Sequence, residues 1–259
     1  MKNNEDHIEI EFLGTGTSTG VPQLRCNCPV CQSTDERDKR LRTSAIVRYC
    51  GVNILIDCGP DFRTQMLRAS DDQLDALLIT HIHYDHVGGI DDLRPYCYER
   101  QFPVFARQDV INDLHTRLPY CFSEHPYPGV PQLHITPVVD DQPFDVCGIE
   151  VFPIPVMHYR LPILGYRIGP LAYITDAKQM AEEQIEKLQG VPLLVINALR
   201  KKPHLSHMNL DESLAVIERI EPGQAYLIHM SDGIGFHEET SQQLPERVHL
   251  AYDTLRISI

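Results

Sequence analysis

Apolar and polar positions alternate with two different periods along this chain. Near the start, IEIEF alternates with period two, the pattern of a half-buried strand. SAIVRY and VNILID flank Cys50-Gly51 and predict a hairpin. Further strand-like runs follow at DALLIT, PVFA, LHITPVV, IEVFPIPV, LGYRI, LAYIT, PLLVINA, AYLIHM and VHLAY. Helical spacing is predicted near Asp61–Ala69, Gly89–Tyr98, Asp109–Leu118, Ala177–Gln189 and Asp211–Ile220. In the last of these Leu214, Ile217 and Ile220 share a face, and Pro222-Gly223 stops the pattern. A hairpin-rich block, then strands alternating with helices, then a similar mixture again implies an α/β fold of two face-to-face sheets with helices outside. No linker or repeat divides the chain, so one domain over residues 1–259 is expected. The segment Pro119–Gly129, rich in proline and aromatics, has no period and reads as an ordered loop, a candidate lid.

Composition narrows the class. Hydrophobic residues form 42% of the 259 and charged residues 23%, a globular balance. No apolar run reaches the roughly 20 residues of a membrane span. MKNNEDHIEIEF has neither the basic stretch nor the apolar core of a secretory signal, and the expected compartment is the cytoplasm. The formal charge of −13 argues against non-specific binding to nucleic acid or an anionic membrane. It does not argue against a phosphorylated substrate, because bound cations reverse the local field.

The chemistry begins at THIHYDHVGG, Thr80 to Gly89. His81 and His83 are two apart at the end of a strand-like run, so both imidazoles point to one side and converge on one cation. Asp85 and His86 follow where the chain turns toward a helix start at Gly88-Gly89, and they face a second cation. Imidazole and carboxylate together suit zinc, manganese or iron. The remaining ligands belong at other strand ends: VFPIPVMH ends in His158, LAYITD in Asp176, and AYLIHM carries His229. Each follows an apolar run that delivers it to the same rim. Of eight cysteines, Cys26, Cys28 and Cys31 crowd into CNCPVC, the arrangement of a metal site. The scattered ones, Cys50, Cys58, Cys97, Cys121 and Cys147, read as small buried hydrophobes. GTGTSTG lacks Gly-Lys-Ser/Thr and predicts a tight turn near the site, not a phosphate cradle. No Gly-x-Ser-x-Gly nucleophile motif is present.

With these residues in view, the chain resembles the metallo-β-lactamase-fold hydrolases from Glu9 to its C-terminus, LIDCG at Leu55–Gly59 included. That resemblance implies an αββα four-layer sandwich. It also implies that His81, His83 and His158 hold one divalent metal and that Asp85, His86 and His229 hold another, with Asp176 bridging as a catalytic ligand. The opening GTGTSTGVPQLRCNCPVC resembles the PhnP-like phosphodiesterase branch, where three cysteines bind a structural zinc. The fourth ligand position there falls on Asp232 in HMSDGIGFHEE, where the branch carries histidine; zinc accepts carboxylate, and His237 is the competing ligand. His207 in RKKPHLSHMNLDESL matches the branch's catalytic histidine, which protonates the departing alkoxide or hydrogen-bonds the developing phosphorane. His204 is a second candidate for that task. Arg160 would bind a second phosphate on the substrate through its planar fork, as would Arg200, Lys201 or Lys202.

The expected activity is therefore hydrolysis of a small phosphodiester, in the most concrete case a ribosyl cyclic phosphate. Water would be activated between two zinc or manganese ions, with a structural zinc besides. Three rivals share the scaffold: an RNase Z-like nuclease, a thioesterase or lactonase, and a non-catalytic metal-binding accessory of PqqB type. The nuclease lacks a basic arm here and the charge runs against it. The resemblance also implies a homodimer.

Overall fold

The computed structural model describes residues 7–70, 73–123, 125 and 127–259. Its first sheet takes β1 (Ile8–Gly14), β2 (Ser44–Tyr49), β3 (Val52–Ile56), β4 (Ala76–Leu78), β5 (Phe102–Ala106) and β6 (Leu133–Pro137) in chain order. The second takes β7 (Phe144–Val146), β8 (Ile149–His158), β9 (Leu161–Ile168), β10 (Leu171–Ile174), β11 (Leu193–Asn197), β12 (Gln224–Ile228) and β13 (Val248–Leu250). A last strand, β14 (Arg256–Ser258), returns to pair with β1. Each sheet is antiparallel in one half and parallel in the other, the change falling at β3 in the first and at β10 in the second.

Period two explains the layers. In β3, Ile54 and Ile56 face the opposite sheet while Leu55 faces outward; in β11, Leu193 and Val195 point inward while Leu194 and Ile196 point out. Both faces are apolar because both are covered. Outside the first sheet lie α1 (Phe62–Met66), α2 (Tyr84–Val87) and α3 (Gln108–Arg117), contributing Phe62, Val87, Val110 and Leu114 to one outer core. Outside the second, α4 (Glu182–Leu188) and α5 (Leu210–Ile220) bury Ile185, Leu188, Ile217 and Ile220, and a short α6 (His237–Ser241) follows. Full burial of side chains this size stabilises by roughly 1.5–3 kcal/mol each, so three cores support the four-layer αββα sandwich. Among the described residues no helix is long and apolar enough to cross a membrane.

Local expectations needed correction in several places. The stretch Gly89–Tyr98 folds as a 3-10 helix over Ile90–Cys97, with Pro95 inside and its amide donor missing. Residues 177–181 are not helical. Lys178 and Gln179 instead pair back to Met157, with Lys178 N donating to Met157 O at 2.8 Å, and α4 starts only at Glu182. Gly88 caps the end of α2 and Gly89 the start of the 3-10 helix, so the expected helix start at Gly88-Gly89 holds, with a 3-10 helix in place of an α-helix. The short strands β7 and β14 were not foreseen. Cys50 and Cys147 are exposed and not buried, because each sits in a hairpin turn ahead of glycine at φ 49° and 53°. Within the proline-rich segment, Pro119–Cys121 makes a 3-10 turn, while positions 124 and 126 lie outside the described residues, as do residues 1–6 on which the leader reading rests.

Candidate active site and metal centres

Five strand carboxyl ends meet at one rim, four of them from parallel pairs and the fifth from antiparallel β8, at the edge where open α/β sheets place their sites. Asp57 follows β3, Thr80 and His81 follow β4, His158 ends β8, Asp176 lies just past β10, and His229 directly follows β12. Asp57, Asp176 and His229 turn off their strands at φ 60°, 56° and 56°. This left-handed backbone costs roughly 1–2 kcal/mol per non-glycine residue, and such strain gathers at functional sites. It swings each side chain back over the rim.

The predicted ligands come together. Ring centroids of His81 and His83 are 4.6 Å apart, those of His83 and His158 5.0 Å, and those of His86 and His229 5.6 Å. Donor atoms of His81, His83 and His158 lie within 4.8 Å of one another, and so do those of Asp85, His86, Asp176 and His229. Asp176 also groups with His158 and His207 and so stands between the two sets. Its Oδ1 is 3.1 Å from His229 Nε2 and 3.0 Å from His207 Nε2, and its Oδ2 is 3.3 Å from His86 Nε2.

Behind the ligands stands a second layer that sequence reasoning largely missed. Asp57, buried, accepts from Thr80 N at 2.8 Å and lies 2.7 Å from His86 Nδ1. Ser206 O accepts from His158 Nδ1 at 2.8 Å, and Thr43 Oγ1 is 3.2 Å from His229 Nδ1. Thr17 of the glycine-threonine turn reaches His229 Nε2 at 3.2 Å. That turn fits only without side chains at its glycines: a Cβ on Gly14 would come 2.0 Å from Arg42 O. Asp57 had a usable signal, an acid directly after the apolar run in LIDCG.

The donor set fits divalent cations. Burial pushes His81 well below the usual imidazole range, lowers His83 and His158, and brings His229 down to about 3, so these rings stand neutral with lone pairs to offer. Burial would also depress His86, but the carboxylates of Asp176, Asp85 and Asp57 outweigh it and raise it well above that range. Burial likewise opposes ionisation of Asp176, yet His229 and His86 hold its carboxyl well below the ordinary value. Three carboxylates around one imidazole call for positive charge. Meanwhile His86 Nε2 is buried without a hydrogen-bond partner, although Asp85 Oδ2 is 3.2 Å away. An orphaned nitrogen aimed between carboxylates has the chemistry of a metal ligand.

The second cluster is separate. Cys26, Cys28, Cys31 and Asp232 place one ligand atom each within 4.8 Å of the others. Cys28 Sγ is 3.3 Å from Asp232 Oδ2. Burial and the neighbouring thiols push Cys31 up to about 12, whereas hydrogen bonds from Cys28 lower Cys26; a bound cation is what would let all three sulfurs stand as thiolates beside the carboxylate. His237 is not among them; it packs at the start of α6 with Nδ1 3.3 Å from Arg40 Nη2. Arg160 stands exposed at the β8–β9 hairpin tip, its guanidinium carbon 5.1 Å from the Tyr159 ring centroid. Arg200 is turned onto the carbonyls of Lys202 and Pro203, and Lys201 onto Gln243. A groove of about 990 Å³ lies along α5 and the stretch Pro245–Val248 and touches none of these groups.

The family profile described as a beta-lactamase superfamily domain matches residues 52–230. A solved structure of a new diphosphatase from the PhnP family superposes with a TM-score of 0.91 at 36% identity, covering 98% of this chain and 97% of that one. The chain belongs to the PhnP-like branch of the metallo-β-lactamase-fold hydrolases. Zinc-bound PqqB from Methylobacterium extorquens shares the fold of this PhnP-like chain at a TM-score of 0.80 and 19% identity, over 96% of this chain and 99% of PqqB. An octanoyltransferase of Porphyromonas gingivalis (strain ATCC BAA-308 / W83) is 48% identical over 250 residues, 96% of this chain. The PhnP-like chain spans about half, 51%, of that relative's length. Membership of the branch implies divalent metal binding, which the His/Asp cluster suits.

Proposed function

We propose that this protein is a dinuclear metal-dependent phosphodiesterase acting on small diesters. The observation that carries it is Asp176, shared between two ligand sets and 3.0 Å from His207 Nε2. His81, His83 and His158 would hold one cation and Asp85, His86 and His229 the other, with zinc and manganese both suited to these donors. Divalent cations bound there supply water with a pKa lowered to about 7 and offset the charge on the phosphate. The chain's own groups do the rest. Asp57, Ser206 and Thr43 fix the ligand rings from behind, as outer-shell partners of metal-bound histidines do. His207 stands on the rim, half-buried, where Nε2 can deliver a proton to the oxygen leaving phosphorus. Arg160, free to reach from its hairpin tip, would receive a second phosphate. Cys26, Cys28, Cys31 and Asp232 would hold a structural zinc.

The test is hydrolysis of bis-p-nitrophenyl phosphate set against cleavage of a structured RNA precursor. Diester turnover that a chelator abolishes and zinc or manganese restores is the expected result. Cleavage of RNA with no turnover of small diesters would replace this reading with a nuclease.

One observation favours a second reading. The 48% identical relative carries the name octanoyltransferase on a chain about twice as long. A hydrolase joined to an octanoyl-handling unit suits a site whose water attacks an octanoyl thioester. The exposed side chains of Tyr84, Tyr159 and Leu205, each within two residues of a ligand or His207, offer such a chain apolar surface. Octanoyl thioester hydrolysis exceeding diester hydrolysis in kcat/KM would favour this alternative.

A further inference from the structure

His204 has no part in either donor cluster, yet it is tied to the rim by three contacts. The loop that carries it leaves β11 and is pinned at both ends. Leu199 N donates to Met208 O at 3.0 Å, and Met208 N donates to Ala177 O at 2.9 Å. Asn209 then caps α5 in a reciprocal box with Glu212, fixing the chain two residues beyond His207. Within this frame Ser206 N donates to His204 Nδ1 at 3.3 Å, so that nitrogen carries a lone pair and the His204 proton resides on Nε2. His207 Nδ1 lies 3.2 Å from the same atom, and His207 Nε2 points the other way, to Asp176 Oδ1.

We propose that His204 is a positioning residue: its Nδ1 lone pair, shared with the Ser206 amide, accepts the Nδ1–H of His207, fixing the ring plane so that the opposite nitrogen faces the leaving group. The inference rests on the reading of His207 as proton donor. In the balanced step, the oxygen of water bonds to phosphorus as the phosphorus–oxygen bond to the leaving group breaks. The departing oxygen keeps the electron pair and takes the proton from His207 Nε2. The proton given up by the attacking water later restores His207. Throughout, the Nδ1–H of His207 stays hydrogen-bonded to His204 Nδ1, so the proton leaves only from the productive side. Burial, and the charges of His207, Arg200 and Lys178 after it, lower the His204 imidazole below its usual range, which keeps it an acceptor. Ser206 Oγ, 3.0 Å from His207 Nδ1 and 3.3 Å from His204 Nδ1, closes the same small network.

A general acid matters most when the leaving oxygen is basic. The experiment therefore compares methyl p-nitrophenyl phosphate with methyl phenyl phosphate, using the metal-loaded protein and its His204→Ala, His204→Asn and His207→Ala variants. His204→Ala is expected to lower kcat on the phenyl ester about 10–100-fold, the range for losing an outer-shell partner, with the p-nitrophenyl rate, KM and metal content unchanged. Asn places an acceptor where Nδ1 was, and His204→Asn should recover most of the loss. If His207→Ala shows the leaving-group split but His204→Ala lowers both esters equally, or neither, His204 does not act through His207 and the proposal falls while the proton donor stands. If His207→Ala shows no split, the proton-donor reading fails and the inference fails with it.

Discussion

The two donor clusters differ in their donors, thiols in one and imidazoles in the other, and as much in what holds those donors in place. Cys26, Cys28 and Cys31 come from one short loop and meet Asp232 at a half-buried spot. Their visible supports are backbone amides, Gln23 N to Cys31 Sγ and Cys31 N to Cys28 Sγ, both at 3.4 Å. The histidine–aspartate cluster gathers strand ends from both sheets, and behind its rings stand Asp57, Ser206, Thr43 and Thr80. Three thiols and a carboxylate supply four donors, the number a closed tetrahedral zinc site takes, whereas the larger cluster keeps His83 and His207 half-exposed on an open side. One arrangement is suited to tying a loop down. The other is suited to admitting a substrate to preorientated ligands.

The sharpest way to break this contrast is Asp176→Ala. Asp176 touches three histidines of the larger cluster and none of the cysteines, so the variant should lose central metal and more than about 10³-fold in kcat, the upper range for removing one preorganised electrostatic group. The cysteine-bound metal should stay. Metal stoichiometry measured beside turnover decides it, and simultaneous loss of every metal would show that the clusters are not independent.

Asp57→Ala comes next and probes the support directly. The substitution strips an acceptor from Thr80 N, Thr80 Oγ1 and His86 Nδ1, all buried. An orphaned buried donor costs about 1–3 kcal/mol, and an outer-shell change costs about 10–100-fold in activity or metal affinity. Thermal unfolding and kcat should both fall. Unchanged activity would mean that His86 is held well enough without its partner.

How far these roles were legible in the sequence follows from where each signal lies. His81, His83, Asp85 and His86 announce themselves because four ligand-type side chains fall in six residues. His158, Asp176 and His229 are readable one by one as polar groups ending apolar runs, and they become persuasive only as a set. Asp57 ends an apolar run in the same way, but it holds a ligand and does not join the set, so no count of ligands reveals it. Thr17, Thr43 and Ser206 carry no signal, since hydroxyls occur everywhere and their roles depend on contacts across 186 or more residues for the two threonines and 48 for the serine. The late start of α4 escaped for a similar reason: the pairing of Met157 with Gln179 overrides a local helical period. The four-layer architecture was legible because strand and helix periods are written locally and the order of blocks repeats.

Cys28→Ser tests the other side of the contrast. The loop should lose its metal and the protein should unfold earlier, by about 2–4 °C for each kcal/mol lost in a chain of this size. Turnover at ambient temperature should stay near that of the parent, because Cys28 contacts Asp232 and no central ligand. A large fall in kcat with central metal intact would show that the cysteine site positions His229, three residues before Asp232.

The smallest effect is expected at Tyr159. The β8–β9 hairpin has a two-residue turn, with His158 paired to Leu161, and Tyr159 occupies its first position at φ 56°. A turn of this kind favours glycine there, and a bulky side chain in left-handed backbone costs roughly 1–2 kcal/mol. Glycine in turn loses more freedom on folding, by roughly 0.5–1 kcal/mol. Tyr159→Gly should therefore leave stability unchanged or raise it by up to about 1.5 kcal/mol, seen as a small increase in thermal midpoint. The same change removes the ring over which Arg160 lies, immediately beside His158 of the larger cluster. If the strained tip serves the substrate, KM should rise while kcat and central metal hold. A gain in stability with KM unchanged would place the Tyr159–Arg160 pair outside the working face of the larger cluster.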